Sequence, residues 1–254
     1  MTFEVTLDLL ALLVLAAFLA GFVDSIAGGG GLIAVPALLL AGADPVTALA
    51  TNKLQGLFGA GAAAASYARA GHVNPARQWR AALLAFAAAA AGALLASALP
   101  VGFIRAGLPV VLIAIALFFA LKPGLDDVDR TARLSPLVFT LTAVPVVGFY
   151  DGLIGPGAGS FYMLGFVTLA GFGVLRATAH TKLLNFASNV GGLVAFAAVA
   201  TPWWLTGFVM GAAQIAGAAL GSRLAMRRGA QLIKPLLVIT SLALALRLLW
   251  DAFT

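Results

Sequence analysis

Residues 21–31 read Gly21-Phe22-Val23-Asp24-Ser25-Ile26-Ala27-Gly28-Gly29-Gly30-Gly31. An apolar run beginning at Leu9 takes in one carboxylate, Asp24, and then breaks at four consecutive glycines. The apolar piece that follows, roughly 31–42, is too short to cross a bilayer comfortably at a helical rise of about 1.5 Å per residue. The same order recurs later in the chain. Gly148-Phe149-Tyr150-Asp151 leads into Gly155, Pro156, Gly157 and Gly159, and a second short apolar piece occupies 159–172. Each short piece precedes a polar block set in an apolar helix. The first is Ala48-Leu49-Ala50-Thr51-Asn52-Lys53-Leu54, the second Ala177-Thr178-Ala179-His180-Thr181-Lys182-Leu183. The offset between copies grows by two residues along the way, which two single-residue insertions explain. Convergent Ala- and Gly-rich low complexity is the alternative, but two matched blocks in one order at near-equal spacing favour an internal repeat.

Composition sets the solvent. Of 254 residues, 62% are hydrophobic and 9% charged, whereas a soluble domain carries about a quarter charged residues. A water-soluble globule needs more polar surface than this, so a cytosolic enzyme or a nucleic-acid binder is excluded. The formal charge of +6 fits the excess of Lys and Arg on the cytoplasmic side of membrane proteins. The absence of Cys removes disulfides, thiol nucleophiles and thiolate metal sites. His72 and His180 are too far apart in sequence to suggest a metal site, and no cofactor is expected. The first charges, Glu4 and Asp8, are acidic, unlike the basic start of a signal peptide.

At about 20 residues per spanning helix, the chain divides into helices near 5–27, 46–69, 76–99, 101–121, 135–155, 174–200, 203–224 and 231–252. The expectation is an all-α integral membrane protein of two inverted repeats, each a Gly-broken helical hairpin plus three transmembrane helices. The repeats span 1–121 and 135–254, with a cytoplasmic linker at 122–134. With each Gly-rich unit returning to the side it entered from, one orientation places Arg69, Arg77, Arg80, Lys122, Arg130, Arg133, Arg176, Arg223, Arg227, Arg228 and Lys234 inside. Only Arg105 and Arg247 then fall outside, as the positive-inside rule asks. Both termini are accordingly expected outside. Each half crosses an odd number of times, and inverted halves with interrupted helices are the plan of secondary transporters.

Irregular backbone at membrane depth is tolerated only inside protein or beside a wet cavity. The breaks at Gly28, Gly29, Gly30 and Gly31 and at Gly157 and Gly159 therefore belong inside the bundle. Each opens a short helix whose first turn offers N–H groups and the positive end of the dipole, a setting suited to an anion. Close helix packing is the competing use of such glycines. Lys53 and Lys182 lie about eight residues into their helices, or ~12 Å along the axis. A charge at that depth costs at least ~2.5 kcal/mol on insertion scales and calls for a partner. Asp24 and Asp151 are the candidates, either as plain ion pairs or as groups that titrate and couple transport to protons. Thr51, Asn52, Ser160, His180, Thr181 and Asn185 extend the candidate substrate-binding set, with Gln55 and Asn189 as polar neighbours. The small-residue face of 203–224 is equally suited to packing within the chain or to a homodimer.

These residues resemble the TauE/SafE family of membrane proteins, often called the sulfite exporter family. The resemblance rests on Gly21 to Gly31 and Thr51-Asn52-Lys53, with Gly148 to Gly159 and His180-Thr181-Lys182 as second copies, and it covers about residues 8 to 250. It implies movement of sulfite, sulfoacetate and other sulfonates, or related organic anions, across a bacterial inner membrane. The residues themselves point only to a small anionic substrate. The second break departs from the first by carrying Pro156 and Ala158. A passive anion channel is an alternative on the same scaffold. An intramembrane serine hydrolase, prompted by Gly157-Ala158-Gly159-Ser160 and His180, is a weaker one, since a nucleophile needs a positioned base and oxyanion donors. The expectation is a transporter rather than an enzyme, with lipid and a small anion as partners and no nucleic acid.

Overall fold

The computed structural model describes residues 4–98, 126–236 and 238–239. These form helices α1 (Leu7–Ala27), α2 (Gly31–Leu40), α3 (Pro45–Arg69), α4 (Pro75–Ala98), α5 (Pro136–Leu141), α6 (Ala143–Leu153), α7 (Ala158–Thr168), α8 (Val174–Val199) and α9 (Trp204–Arg228). Residues 230–236 are also helical. The expected helix at 101–121, most of that at 231–252, and Arg105, Lys122 and Arg247 lie outside the described residues.

Among the described residues, five stretches are long and apolar enough to cross a membrane: α1, α4, the α5–α6 unit, α8 and α9. Their outward side chains, among them Leu12, Leu15, Leu83, Leu94, Val146, Val194, Phe208 and Leu220, are large, apolar and exposed, as a lipid-facing surface requires. α2 and α7 are short. α3 was expected to span and has the length for it. It falls outside the five because Asn52, Lys53 and Gln55 lower its hydropathy, and its place in the bundle allows that polarity. Every residue from Ala48 to Gln55 is buried, so this stretch is enclosed by protein on all sides.

The helix expected at 135–155 is divided. Pro145 lacks an N–H for the Leu141 carbonyl and its ring crowds that carbonyl, so the path breaks at Thr142, at φ −116° and ψ −69°. The Thr142 hydroxyl donates back to the Val138 carbonyl at 2.7 Å.

Small residues let the helices approach to backbone contact. α1 packs along α9, where a Cβ on Gly217 or Gly221 would run into backbone of Phe18 and Phe22. α6 packs along α4 in the same manner: a Cβ on Gly92 would meet the Phe149 carbonyl, and one on Gly152 the Ala89 carbonyl. α3 packs on α9, with Gly207 under Leu54 and Gly211 under Phe58, while α4 packs on α8 and α3 on α8. The small-residue face of α9 is thus spent on packing within the chain.

The two ends of the bundle are tied by carboxylates. At one end Glu4 accepts from the backbone N–H groups of Leu205 and Thr206 and from the Thr206 hydroxyl (3.2, 3.1 and 2.7 Å), capping α9. At the other end the linker crosses the start of α8. Asp127 accepts from the amides of Leu175 (2.9 Å) and Ala230 (2.8 Å), and Asp129 accepts from the Gly173 amide (2.8 Å) and pairs with Arg176. The Gly173 amide hydrogen bond, then Arg176, hold the Asp129 carboxyl below its usual value of 3.8.

Candidate functional site

Both Gly-rich breaks are turned inward and touch. Gly28 takes φ 81° and ψ 165°, a region essentially confined to glycine. A Cβ there would stand 2.7 Å from the Gly159 carbonyl carbon and the Ser160 nitrogen of the other break. Gly157 caps α7 in the left-handed conformation at φ 88°. Each break is fastened by a tyrosine. Tyr67 of α3 donates its hydroxyl to the Ser25 carbonyl (2.9 Å), and Tyr150 of α6 donates to the Pro156 carbonyl (2.7 Å).

The lysines lie where their helices pass the tips, and each is joined to the aspartate of the other half of the chain. Lys53 Nζ is 2.5 Å from Asp151 Oδ1, and the Ser188 hydroxyl donates to Asp151 Oδ2. Lys182 Nζ is 3.2 Å from Asp24 Oδ2, while Asp24 Oδ1 accepts from the Gly30 amide at 3.2 Å. The lysines are 1% and 0% exposed, Asp151 5% and Asp24 15%. Breaking a buried pair of this kind leaves an uncompensated charge, which accounts for the tolerance of both lysines at this depth.

Between the tips and the pairs lies a cavity of about 30 Å³ lined by Asp24, Gly29, Gly30, Gly31, Asn52, Gly56, Asp151, Gly155, Gly157, Ala158, Gly159, Asn185, Asn189 and Gln214. That volume holds roughly two waters. The Asn185 amide is buried, and its Oδ1 has no hydrogen-bond partner among the described residues. Asn52 accepts from Gln55 Nε2 at 2.9 Å. The first turn of α2 is less open than a free helix end, because the Leu32 and Ile33 amides turn back onto the Gly29 and Gly30 carbonyls at 2.9 and 3.0 Å.

Ten of the sixteen residues singled out from sequence meet at this cavity: Asp24, Gly29, Gly30, Gly31, Asn52, Asp151, Gly157, Gly159 and Asn185 line it, and Gly28 forms the contact between the tips. Lys53 and Lys182 stand behind it, on the two aspartates. Thr181 is buried beside Lys182, its hydroxyl without a partner among the described residues. Three lie elsewhere. Thr51 accepts the Trp203 amide at 2.9 Å. His180 packs among Phe166 and Phe172, with ring centroids 5.4 and 4.9 Å away. Ser160 donates to the Ala27 carbonyl at 3.3 Å, so neither base nor nucleophile geometry for a hydrolase is present. Among the described residues no cluster of His, Asp or Glu could hold a metal.

Sequence reasoning missed Gln214 and Ser188. Gln214 stands alone as an amide in a helix of small and apolar residues, and that isolation is a usable signal. Ser188 shows itself only when the two halves are laid over each other.

The "Sulfite exporter TauE/SafE" family model matches residues 13–248. The chain is 60% identical over 248 residues to "Probable membrane transporter protein ORF9" of Sinorhizobium sp., covering 98% of this chain and 95% of that protein. It is 47% identical over 250 residues to "Probable membrane transporter protein YfcA" of Escherichia coli (strain K12), covering 98% and 93%. A "Probable membrane transporter protein" of Haemophilus influenzae is 43% identical over 248 residues, covering 98% and 97%. No solved structure matches the chain. With the family model running over nearly its whole length, and relatives named as transporters rather than enzymes, the chain belongs to the TauE/SafE sulfite exporter family and is a multi-pass membrane transporter.

Proposed function

We propose that the protein is a secondary transporter that exports a small sulfur-containing or organic anion, sulfite or a sulfonate, by alternating access around the cavity between the two Gly-rich tips. The observation that carries this reading is the crossed pairing of Lys53 with Asp151 and of Lys182 with Asp24 at a cavity to which both tips contribute. Two lysines at depth supply the attraction for an anion, glycine backbone permits close approach, and the amides of Asn52 and Asn185 supply hydrogen bonds. Gly28 and Thr181 belong to the surrounding shell of the same site, while Thr51, Ser160 and His180 make their contacts outside the cavity.

The reading includes two inverted repeats, 1–121 and 135–254, joined by the linker at 122–134. Its support is the packing pattern. α1 lies on α9 and the α5–α6 unit on α4, while α3 and α8 meet at the centre. Exchanging the halves maps the first of these contacts onto the second and the third onto itself. Rocking one half against the other then changes which side reaches the cavity.

The linker supports the expected orientation. Asp127 joins the start of α8 to the end of α9, and Gln78 of α4 donates to the His180 carbonyl at 3.2 Å. Arg77, Arg80, Arg130, Arg133, Arg176, Arg227 and Arg228 therefore share one end, the cytoplasmic one by the positive-inside rule. Glu4 and the N-terminus belong to the opposite, outer side of a bacterial inner membrane.

One carboxylate at the cavity, Asp24 or Asp151, couples the anion to a proton. Reconstituted protein tests the coupling: an imposed pH gradient drives sulfite accumulation in liposomes, and Asp24→Asn with Asp151→Asn abolishes the drive. Flux indifferent to the gradient marks a passive anion channel on the same scaffold instead.

A further inference from the structure

We propose that the two lysine–aspartate pairs have different jobs: Asp24 is an internal placeholder that the substrate anion displaces from Lys182, whereas Asp151, Lys53 and Ser188 form a fixed brace. The proposal rests on the reading of the cavity as an anion site.

Four differences carry it. The Lys53–Asp151 contact is 2.5 Å and the Lys182–Asp24 contact 3.2 Å. Asp151 is 5% exposed and Asp24 15%. Both carboxylate oxygens of Asp151 are held by side chains of packed helices, Lys53 and Ser188, whereas the second oxygen of Asp24 has only the Gly30 amide of its own tip. The last difference is written in the sequence. Ser188 stands six residues after Lys182, and six residues after Lys53 stands Gly59. The first half therefore has no hydroxyl to hold Asp24 as Ser188 holds Asp151, and the space over Gly59 is filled by the Gln214 side chain.

The receiving groups also gather on the Lys182 side. Asn185, one turn beyond Lys182, is 5% exposed, lines the cavity and has its Oδ1 unpartnered. Its counterpart one turn beyond Lys53 is Gly56. A Cβ on Gly159 would lie 3.0 Å from Asn185 Nδ2 and 3.5 Å from Lys182 Nζ, so the second tip, the lysine and the amide converge on one place.

Charge then dictates the linkage. Both lysines are already neutralised, and an added anion leaves the cavity one charge negative unless a carboxylate takes up a proton. Asp24, released from Lys182, faces the anion, the Lys53–Asp151 pair across the cavity, the Tyr67 hydroxyl region of α3 and the neutral Gln214 of α9. It is the carboxylate without a cation, and it accepts the proton as the anion takes its place. One proton is thus bound for each anion, and no covalent bond to the substrate is made or broken.

The test uses the full-length protein in detergent, with calorimetric titration of sulfite, methanesulfonate and acetate. Asp24→Asn removes the competitor and tightens binding about tenfold or more, and it flattens the pH dependence of methanesulfonate affinity. Asp151→Asn brings no tightening and lowers the melting temperature more than Asp24→Asn does; Ser188→Ala, which keeps every charge, also lowers it. Lys182→Ala removes binding. Equal tightening by both aspartate variants, or tightening by Asp151→Asn alone, overturns the placeholder while leaving the anion site in place. Anion binding unaffected by Lys53→Ala and by Lys182→Ala, or no binding of any of the three anions even to Asp24→Asn, removes the anion site and the placeholder with it.

Discussion

Lys53 and Asp151, separated by 98 residues in sequence, meet at 2.5 Å in the centre of the bundle, where the lysine is 1% exposed. The contact joins α3 to α6, and Ser188 of α8 closes the group from the third side. Both charges are removed from bulk water, so each depends on the other.

Removing one partner therefore costs far more than removing both. Lys53→Ala is expected to destabilise the protein by about 3–5 kcal/mol, the usual result of orphaning a buried charge. Lys53→Met combined with Asp151→Leu recovers a large part of the loss. Thermal unfolding in detergent of the singles and the double measures the difference, and additive losses would mean the two residues are not coupled.

The contact between the tips is testable by comparing two glycines. Gly28 and Gly42 both have positive φ, at 81° and 98°, but a Cβ on Gly28 meets the backbone of Gly159 and Ser160 while one on Gly42 meets nothing within 4 Å. Gly42→Ala bears only the backbone strain, on the order of 1–3 kcal/mol. Gly28→Ala is expected to cost more and to abolish transport, as read by melting temperature and flux side by side.

The linker responds to acid with a definite sign. Asp129 has its folded pKa depressed, first by the Gly173 amide and then by Arg176. Its contribution is complete above the ordinary value of 3.8 and is lost as pH falls through the lower folded value. Protection of the Gly173 amide against hydrogen exchange, corrected for intrinsic rates, is expected to hold at neutral pH and to fall only below about pH 4. Asp129→Asn brings the same loosening to neutral pH, seen as faster trypsin cleavage after Arg130 and Arg133.

Much of this arrangement is legible in the sequence because glycine and charge are conspicuous in an apolar chain. Gly28 to Gly31, Asp24 and Lys53 could be located, and helix ends at Ala27, Arg69 and Val199 fall within a residue or so of expectation. Three things were not legible. The break at Thr142 depends on Pro145 acting four residues back, within a run whose hydropathy reads as continuous. Thr51 and His180 occupy matching places beside their lysines, yet they turn to Trp203 and to a phenylalanine cluster, because the neighbours that decide rotation of a helix come from the other half of the chain. The crossing of the pairs, Lys53 to Asp151 rather than to Asp24, is likewise a matter of how the halves interlock.

Transport of labelled sulfite into liposomes holding the wild type and Lys53→Ala/Lys182→Ala, with folding of both checked by gel filtration and circular dichroism, tests the central claim most directly. The account predicts saturable flux by the wild type and background flux by the folded double variant. Full flux by the folded double variant would contradict it, leaving the lysines as structural partners of Asp24 and Asp151 and the anion on another path.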